Sequence, residues 1–283
     1  VTILLLLELL NIVTFNWMRA QSASKCADLV VLKEDPCSNV VNYVIAGLLN
    51  QADTVFHAYK DDFEGTVIAV NFRSTGWEPR RAAESIRIDI ALRCLDRGLN
   101  NSAGTSSDRP EVRIWAVSVG GQVANWVDTL ASAGTVKVVL INPCTSPICL
   151  KPNFQGYETL AQGLCTILGE HLLGWASLLP IIPMSGVDTT APGRNWEYSP
   201  ILLADQLVAI TAGRQPVSAP RADVVILSER DQFLDNQMIR KLYMLTPDNY
   251  IITIDADHAG TAVYADQYRV AFRRATEILS VDG

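Results

Sequence analysis

Histidine is scarce in this sequence: 283 residues include only His57, His171 and His258. A mechanism that needs an imidazole therefore has three candidates to choose from. Basic residues are in deficit too, with 23 Lys and Arg against 30 Asp and Glu, for a formal net charge of −7 and a sequence pI near 5.0. Holding a phosphate backbone takes a positive face, so nucleic acid is excluded as the expected partner. No CxxC pair occurs, and three scattered histidines cannot complete a zinc set; neither a metal nor a cofactor is expected. Repeats and low-complexity tracts are missing. With charged residues at only 19% and hydrophobic ones at 49%, intrinsic disorder, collagen-like repeats and coiled coil are excluded. A chain this long and this apolar can bury a core without metals or disulfides to hold it.

The first eighteen residues, VTILLLLELLNIVTFNWM, are apolar apart from Glu8, Asn11 and Asn16. Glu8 counts against a stable membrane span, and no basic residue precedes the run. Small residues after it (Ala20, Ser22, Ala23, Ser24) suit a cleavage site. Residues 1–24 are read as a signal or anchor segment, giving an exported protein with possible membrane association. The other reading is an amphipathic helix packed on the domain. The six cysteines, at 26, 37, 94, 144, 149 and 165, include two locally close pairs, Cys26 with Cys37 and Cys144 with Cys149. Disulfides in an oxidising compartment would account for them, and so would buried thiols.

Short β-branched runs recur at Leu29–Leu32, Val40–Ala46, Thr66–Phe72, Val112–Val117, Lys137–Asn142, Asp223–Ser228 and Tyr250–Asp255. Near-continuous apolar runs are the pattern of strands covered on both faces. Helical patterns lie between them, around 79–97, 118–133, 199–212, 234–244 and 260–279. Alternation of this kind predicts an α/β fold with a mostly parallel central sheet and helices on both faces. Residues 98–111 read as a polar loop. Residues 144–222 form an insertion too long for an ordinary crossover, so it is expected to carry helices of its own.

The sharpest chemical signal is Ala116-Val117-Ser118-Val119-Gly120-Gly121, between a strand run and a helical pattern. A serine hydroxyl is a weak nucleophile unless it is exposed on a sharp turn and given a base. Small residues two before and two after (Ala116, Gly120) permit that turn, which also aims the Val119 amide at the place where an oxyanion forms. Among the bases, His57 lies in an early helical stretch and His171 in the insertion. His258 stands in Asp257-His258-Ala259-Gly260, after a strand run and before the last helix, at the same sheet edge as Ser118. That carboxyl edge is where open α/β sheets bind ligands. Asp231 follows the run Asp223–Ser228 at the same edge and can orient the imidazole; Asp235 and Glu229 are rivals for that role.

These residues together resemble the α/β-hydrolase superfamily, whose catalytic residues come in the order Ser, acid, His. The resemblance spans about residues 38 to 280, with Ala116 in place of the usual first Gly of the serine turn. It implies an α/β-hydrolase fold over residues 25–283, with the insertion at about 144–222 as a helical cap. Catalytic roles fall on Ser118, Asp231 and His258. Tyr43-Val44-Ile45-Ala46-Gly47-Leu48 looks like the loop that supplies the second oxyanion donor, which places Leu48 beside Val119 in an oxyanion hole. Asn71-Phe72-Arg73-Ser74-Thr75-Gly76 resembles the next strand and its Arg-containing turn, read as scaffold. The implied activity is a serine hydrolase, esterase- or lipase-like, acting on a small-molecule or lipid-like carboxylic ester. An acyltransferase with the same residues, or a non-catalytic binding protein on the same fold, are the competing expectations. The apolar residues Leu172, Leu173, Trp175, Leu178, Leu179 and Ile181 either line an acyl pocket or pack the cap.

Overall fold

The structure, a computed structural model, describes residues 27–47, 51–72, 77–100, 110–130, 136–145, 149–152, 221–243, 250–258 and 264–281, together with Leu6, Leu9 and Val13. Seven strands form one sheet: β1 (Asp28–Lys33), β2 (Val40–Ile45), β3 (Thr66–Asn71), β4 (Glu111–Val117), β5 (Val136–Ile141), β6 (Val224–Ser228) and β7 (Tyr250–Ile254). Their spatial order is β1-β3-β2-β4-β5-β6-β7. β1 pairs antiparallel with β3 at one edge, and every other pairing is parallel. All seven strands match the apolar runs of the sequence.

Period-two alternation divides each central strand between two cores. On one face, Tyr43, Ile45, Ile114, Ala116, Val138, Leu140, Val225 and Leu227 pack with residues of α2 (Pro79–Asn100), α3 (Gly121–Leu130) and α4 (Asn236–Tyr243). On the other face, Val44, Trp115, Val139, Ile141, Ile226 and Ile252 pack against α1 (Ala52–Phe56) and α5 (Ala265–Val281). A one-residue slip in any of these strands would exchange its two sets of side chains, so the double burial fixes the register. Phe272 of α5 anchors the second core, with its ring centroid 5.5 Å from Phe63 and 5.8 Å from Trp115. Aromatic pairs of this kind add about 0.5–1.5 kcal/mol each beyond the area they bury.

The winding places the site. From β2 the chain moves outward to β3, then returns to the other side of β2 for β4 and continues through β5, β6 and β7. The direction reverses between β2 and β4, and the carboxyl ends of strands at such a reversal are where open α/β sheets bind ligands.

Several sequence expectations meet a different outcome or fall outside the described residues. The polar stretch 98–111 does not begin as a loop: α2 continues through Asn100 before residues 101–109, which lie outside. Propagating a formed helix fixes one residue per hydrogen bond, which offsets the propensity cost of Gly98. The close cysteine pairs are not disulfides, because Cys37, Cys94, Cys144 and Cys149 are free thiols. Cys144 and Cys149 are tied to separate elements: the Cys144 N–H donates to the Ser118 carbonyl, and the Cys149 carbonyl accepts from Asp235 N–H. Most of the N-terminal segment 1–24, nearly all of the insertion 144–222 and the helix expected at 199–212 lie outside the described residues. Among those described, no helix is long and apolar enough to cross a membrane.

Candidate active site

Ser118 begins a short 3₁₀ turn (Ser118–Gly120) directly after β4, with its backbone at φ +51°. Left-handed backbone is uncommon for a residue with a side chain, and its presence marks stored strain. The turn survives because its neighbours leave no room for a looser one. A Cβ on Gly120 would stand 2.8 Å from the Ala46 carbonyl, and one on Gly121 would stand 2.7 Å from the Thr145 methyl. Gly47, at the end of β2, presses on the serine itself: a Cβ there would lie 2.9 Å from Ser118 Cβ. The β2 loop and the serine turn thus interlock across the reversal point of the sheet.

His258 follows β7, and its imidazole reaches back across the strand ends. Nε2 lies 2.9 Å from Ser118 Oγ, and Nδ1 lies 2.6 Å from Asp231 Oδ2. The side chain of Asp231 is wholly buried, and that of His258 is 14% exposed. Oδ1 of Asp231 accepts two further hydrogen bonds, from the N–H groups of Phe233 and Leu234 at 2.9 Å each. A carboxylate only accepts, so the Nδ1 proton points at Asp231 and Nε2 is left to accept from the serine hydroxyl. Lys151 Nζ donates to the Asp231 carbonyl at 2.5 Å, bracing the same loop. The structure therefore brings Ser118, His258 and Asp231 into one hydrogen-bonded chain.

The rivals occupy other places. Asp235 caps α4, its Oδ1 accepting from Gln237 and Met238 N–H at 2.9 and 3.1 Å. Glu229 and His57 are exposed, and His171 lies outside the described residues. Val119 is buried in the serine turn, where backbone N–H groups have no helical partner of their own. Leu48 lies outside the described residues, immediately after the interlocked Gly47. Asn71 closes the end of β3, its Oδ1 accepting from Asp53 N–H at 3.2 Å, while Gln51 Oε1 accepts from Phe72 N–H at 3.1 Å. Both bonds fasten α1 to the sheet, and the Arg-containing turn of this stretch, residues 73–76, lies outside the described residues.

Two features escaped the sequence reading. Phe233, 43% exposed, sets its ring edge-on to the His258 imidazole at 5.6 Å between centroids. Its spacing of two from Asp231 puts its N–H on the carboxylate, and an apolar residue at that spacing was the available signal. Asn142 is fully buried at φ +45°, inside a polar network at the ends of β5, β6 and β7. Its signal was an Asn-Pro step closing an apolar strand.

Comparison with known proteins places this geometry in context. Neither a protein-family model nor a curated protein matches the sequence. Solved structures do match. A hydrolase from Oleispira antarctica aligns over 89% of this chain and 95% of its own, with a TM-score of 0.60 at 13% identity. An esterase from Exiguobacterium antarcticum aligns over 90% and 98%, with a TM-score of 0.57 at 13% identity. A thermophilic esterase from Thermogutta terrifontis aligns over 90% and 96%, with a TM-score of 0.56 at 14% identity. The chain has the α/β-hydrolase fold.

Proposed function

We propose that this protein is a serine hydrolase that cleaves a carboxylic ester through an acyl-enzyme on Ser118. The observation that carries the reading is the continuous chain from Ser118 Oγ to His258 Nε2 at 2.9 Å and from His258 Nδ1 to Asp231 Oδ2 at 2.6 Å. As the hydroxyl oxygen attacks the ester carbonyl, Nε2 takes its proton and then gives it to the departing alcohol oxygen. Asp231 holds the ring in the required tautomer and stabilises the imidazolium. The Val119 amide, with that of Leu48 at the adjoining loop, holds the oxyanion; one such donor is worth roughly 100- to 1000-fold in rate. Water, activated by the same imidazole, releases the acid and restores Ser118. Phe233, exposed beside the imidazole, offers an apolar surface at the site, which supports an apolar ester. Export is the accompanying proposal, and with four cysteines present as free thiols it rests on the apolar N-terminal run.

The test is a panel of p-nitrophenyl esters from acetyl to palmitoyl. The reading expects p-nitrophenol release from at least part of the series by wild type, and none above background from Ser118→Ala. Folded protein that hydrolyses no member would overturn it. An acylated alcohol acceptor formed with little free acid would reassign the second half of the cycle from water to transfer.

A further inference from the structure

The chain from serine to carboxylate joins residues on three separate loops, so something must fix the distance between those loops. β4 leads to Ser118, β6 to Asp231 and β7 to His258. Asn142, at the end of β5, sits where all three converge. Its main-chain N–H donates to the Ile226 carbonyl at 2.8 Å. Oδ1 accepts from Ser228 N–H at 2.7 Å, three residues before Asp231. Nδ2 has Ser228 Oγ at 2.8 Å, Tyr268 Oη at 3.3 Å and the backbone carbonyl of His258 itself at 3.2 Å. Ser228 passes the restraint to the acid, since its carbonyl accepts from Asp231 N–H at 3.2 Å and from Asn236 Nδ2 at 2.8 Å. Tyr268 closes the ring from α5, its hydroxyl donating to the Asp257 carbonyl at 3.4 Å.

We infer that Asn142 is a positioning residue: through one buried amide it ties the acid loop to the backbone of His258 and holds the imidazole on the Ser118 hydroxyl. Chemistry at this position needs three properties together. The residue must tolerate left-handed backbone, accept from one N–H and donate to a carbonyl, all within a volume closed to solvent. Asparagine is among the few residues enriched in that conformation, and its amide supplies both functions. Aspartate matches the backbone and the acceptor but has no donor for the His258 carbonyl. Burial pushes the Tyr268 phenol above its ordinary value, so it stays a donor to the Asp257 carbonyl at neutral pH. Deleting the Asn142 side chain would leave Ser228 N–H and the His258 carbonyl without these partners, and the histidine loop would be free to drift from the serine. A displacement of this size is expected to lower kcat by about tenfold to 100-fold with KM within about threefold, because substrate contacts are untouched.

This inference rests on the proposed role of Ser118, His258 and Asp231, so its test includes a signal that needs no turnover. The His258 Nδ1 proton facing Asp231 at 2.6 Å should appear as a far-downfield resonance in the proton NMR spectrum of the free protein, and should vanish in His258→Ala. In Asn142→Gly, which keeps the left-handed backbone open, that resonance should shift upfield or broaden away, with kcat falling and KM held. Tyr268→Phe, which removes one network partner and leaves the ring in the core, should move both readouts in the same direction by less. It decides the question by the same criteria if Asn142→Gly does not fold. A folded variant with lowered Tm but unchanged resonance and kcat would overturn the inference and leave Asn142 a purely structural residue. If wild type hydrolyses no ester yet Asn142→Gly loses the resonance, the positioning role stands and the hydrolase reading falls.

Discussion

Asp231→Asn is the substitution whose outcome the local geometry dictates most closely. The carboxylate uses both oxygens, Oδ1 for the N–H groups of Phe233 and Leu234 and Oδ2 for His258 Nδ1. Asparagine offers one oxygen and one NH₂, and its orientation is decided by which partners lose less. Turning the NH₂ toward the two backbone N–H groups would leave both without an acceptor in a buried site, at about 1–3 kcal/mol each. The oxygen therefore stays on the two amides and the NH₂ faces the imidazole. Nδ1 must then accept, which moves the ring proton to Nε2, where it points at Ser118 Oγ. A protonated Nε2 cannot receive the hydroxyl proton, so the fold is kept while the transfer is lost. The expected effect is a kcat about 10⁴-fold lower, roughly 5 kcal/mol in the barrier. KM should change by only a few fold, and far-ultraviolet circular dichroism should match wild type. Steady-state hydrolysis of the best p-nitrophenyl ester measures this directly. Folded Asp231→Asn retaining a tenth or more of wild-type kcat would refute the tautomer argument.

Four further outcomes follow from other contacts. Gly47→Ala forces a methyl to within 2.9 Å of Ser118 Cβ. It should lower kcat about 100-fold and stability by about 1–3 kcal/mol; kinetics and a thermal melt check both, and a wild-type kcat would show that the β2 loop yields freely. Phe233→Ala removes the ring beside His258 and should alter kcat/KM unequally across the p-nitrophenyl series, whereas a uniform change would deny the ring a place in the substrate path. Burial pushes the Cys144 thiol up to about 12 and the Tyr59 phenol up to about 12. Both values are raised on folding, so the native state holds its protons longer than the unfolded one. Their contribution is complete below about pH 9 and is lost as pH rises towards 12. Thermal melts from pH 7 to 11 should therefore show a flat stretch followed by a decline. In native protein at pH 8, Ellman's reagent should leave Cys144 unmodified by peptide mass mapping; rapid modification would contradict its burial.

Much of this arrangement was legible because double burial leaves a plain mark. Runs such as Val224–Ser228 and Val136–Ile141 are apolar almost throughout, so their strand character and their place inside a covered sheet could be read together. The parallel winding then sent Ser118, Asp231 and His258 to one sheet edge by their position after strands alone. The choice among acids was harder. Asp231 and Asp235 differ by four residues, and each accepts two backbone N–H bonds. One carboxylate faces the imidazole with its second oxygen and the other caps a helix, a distinction that requires three dimensions. Asn142 was less accessible still. Its partners Ser228, His258 and Tyr268 lie 86, 116 and 126 residues further along the chain, and no local pattern links them. For Cys144 and Cys149 the sequence left a bridge and buried thiols both open; they are buried free thiols, and backbone bonds tie each to a different element.

The account depends most on Ser118 being the nucleophile, and a fluorophosphonate reagent asks that question without assuming any substrate. The serine oxygen displaces fluoride and retains the phosphonyl group, so the product can be weighed. The expected result is one phosphonyl group per chain, carried on the peptide that contains Ser118, absent in Ser118→Ala and formed far more slowly in His258→Ala. Folded wild-type protein that stays unlabelled, or Ser118→Ala labelled as fast as wild type, would contradict the account at its centre.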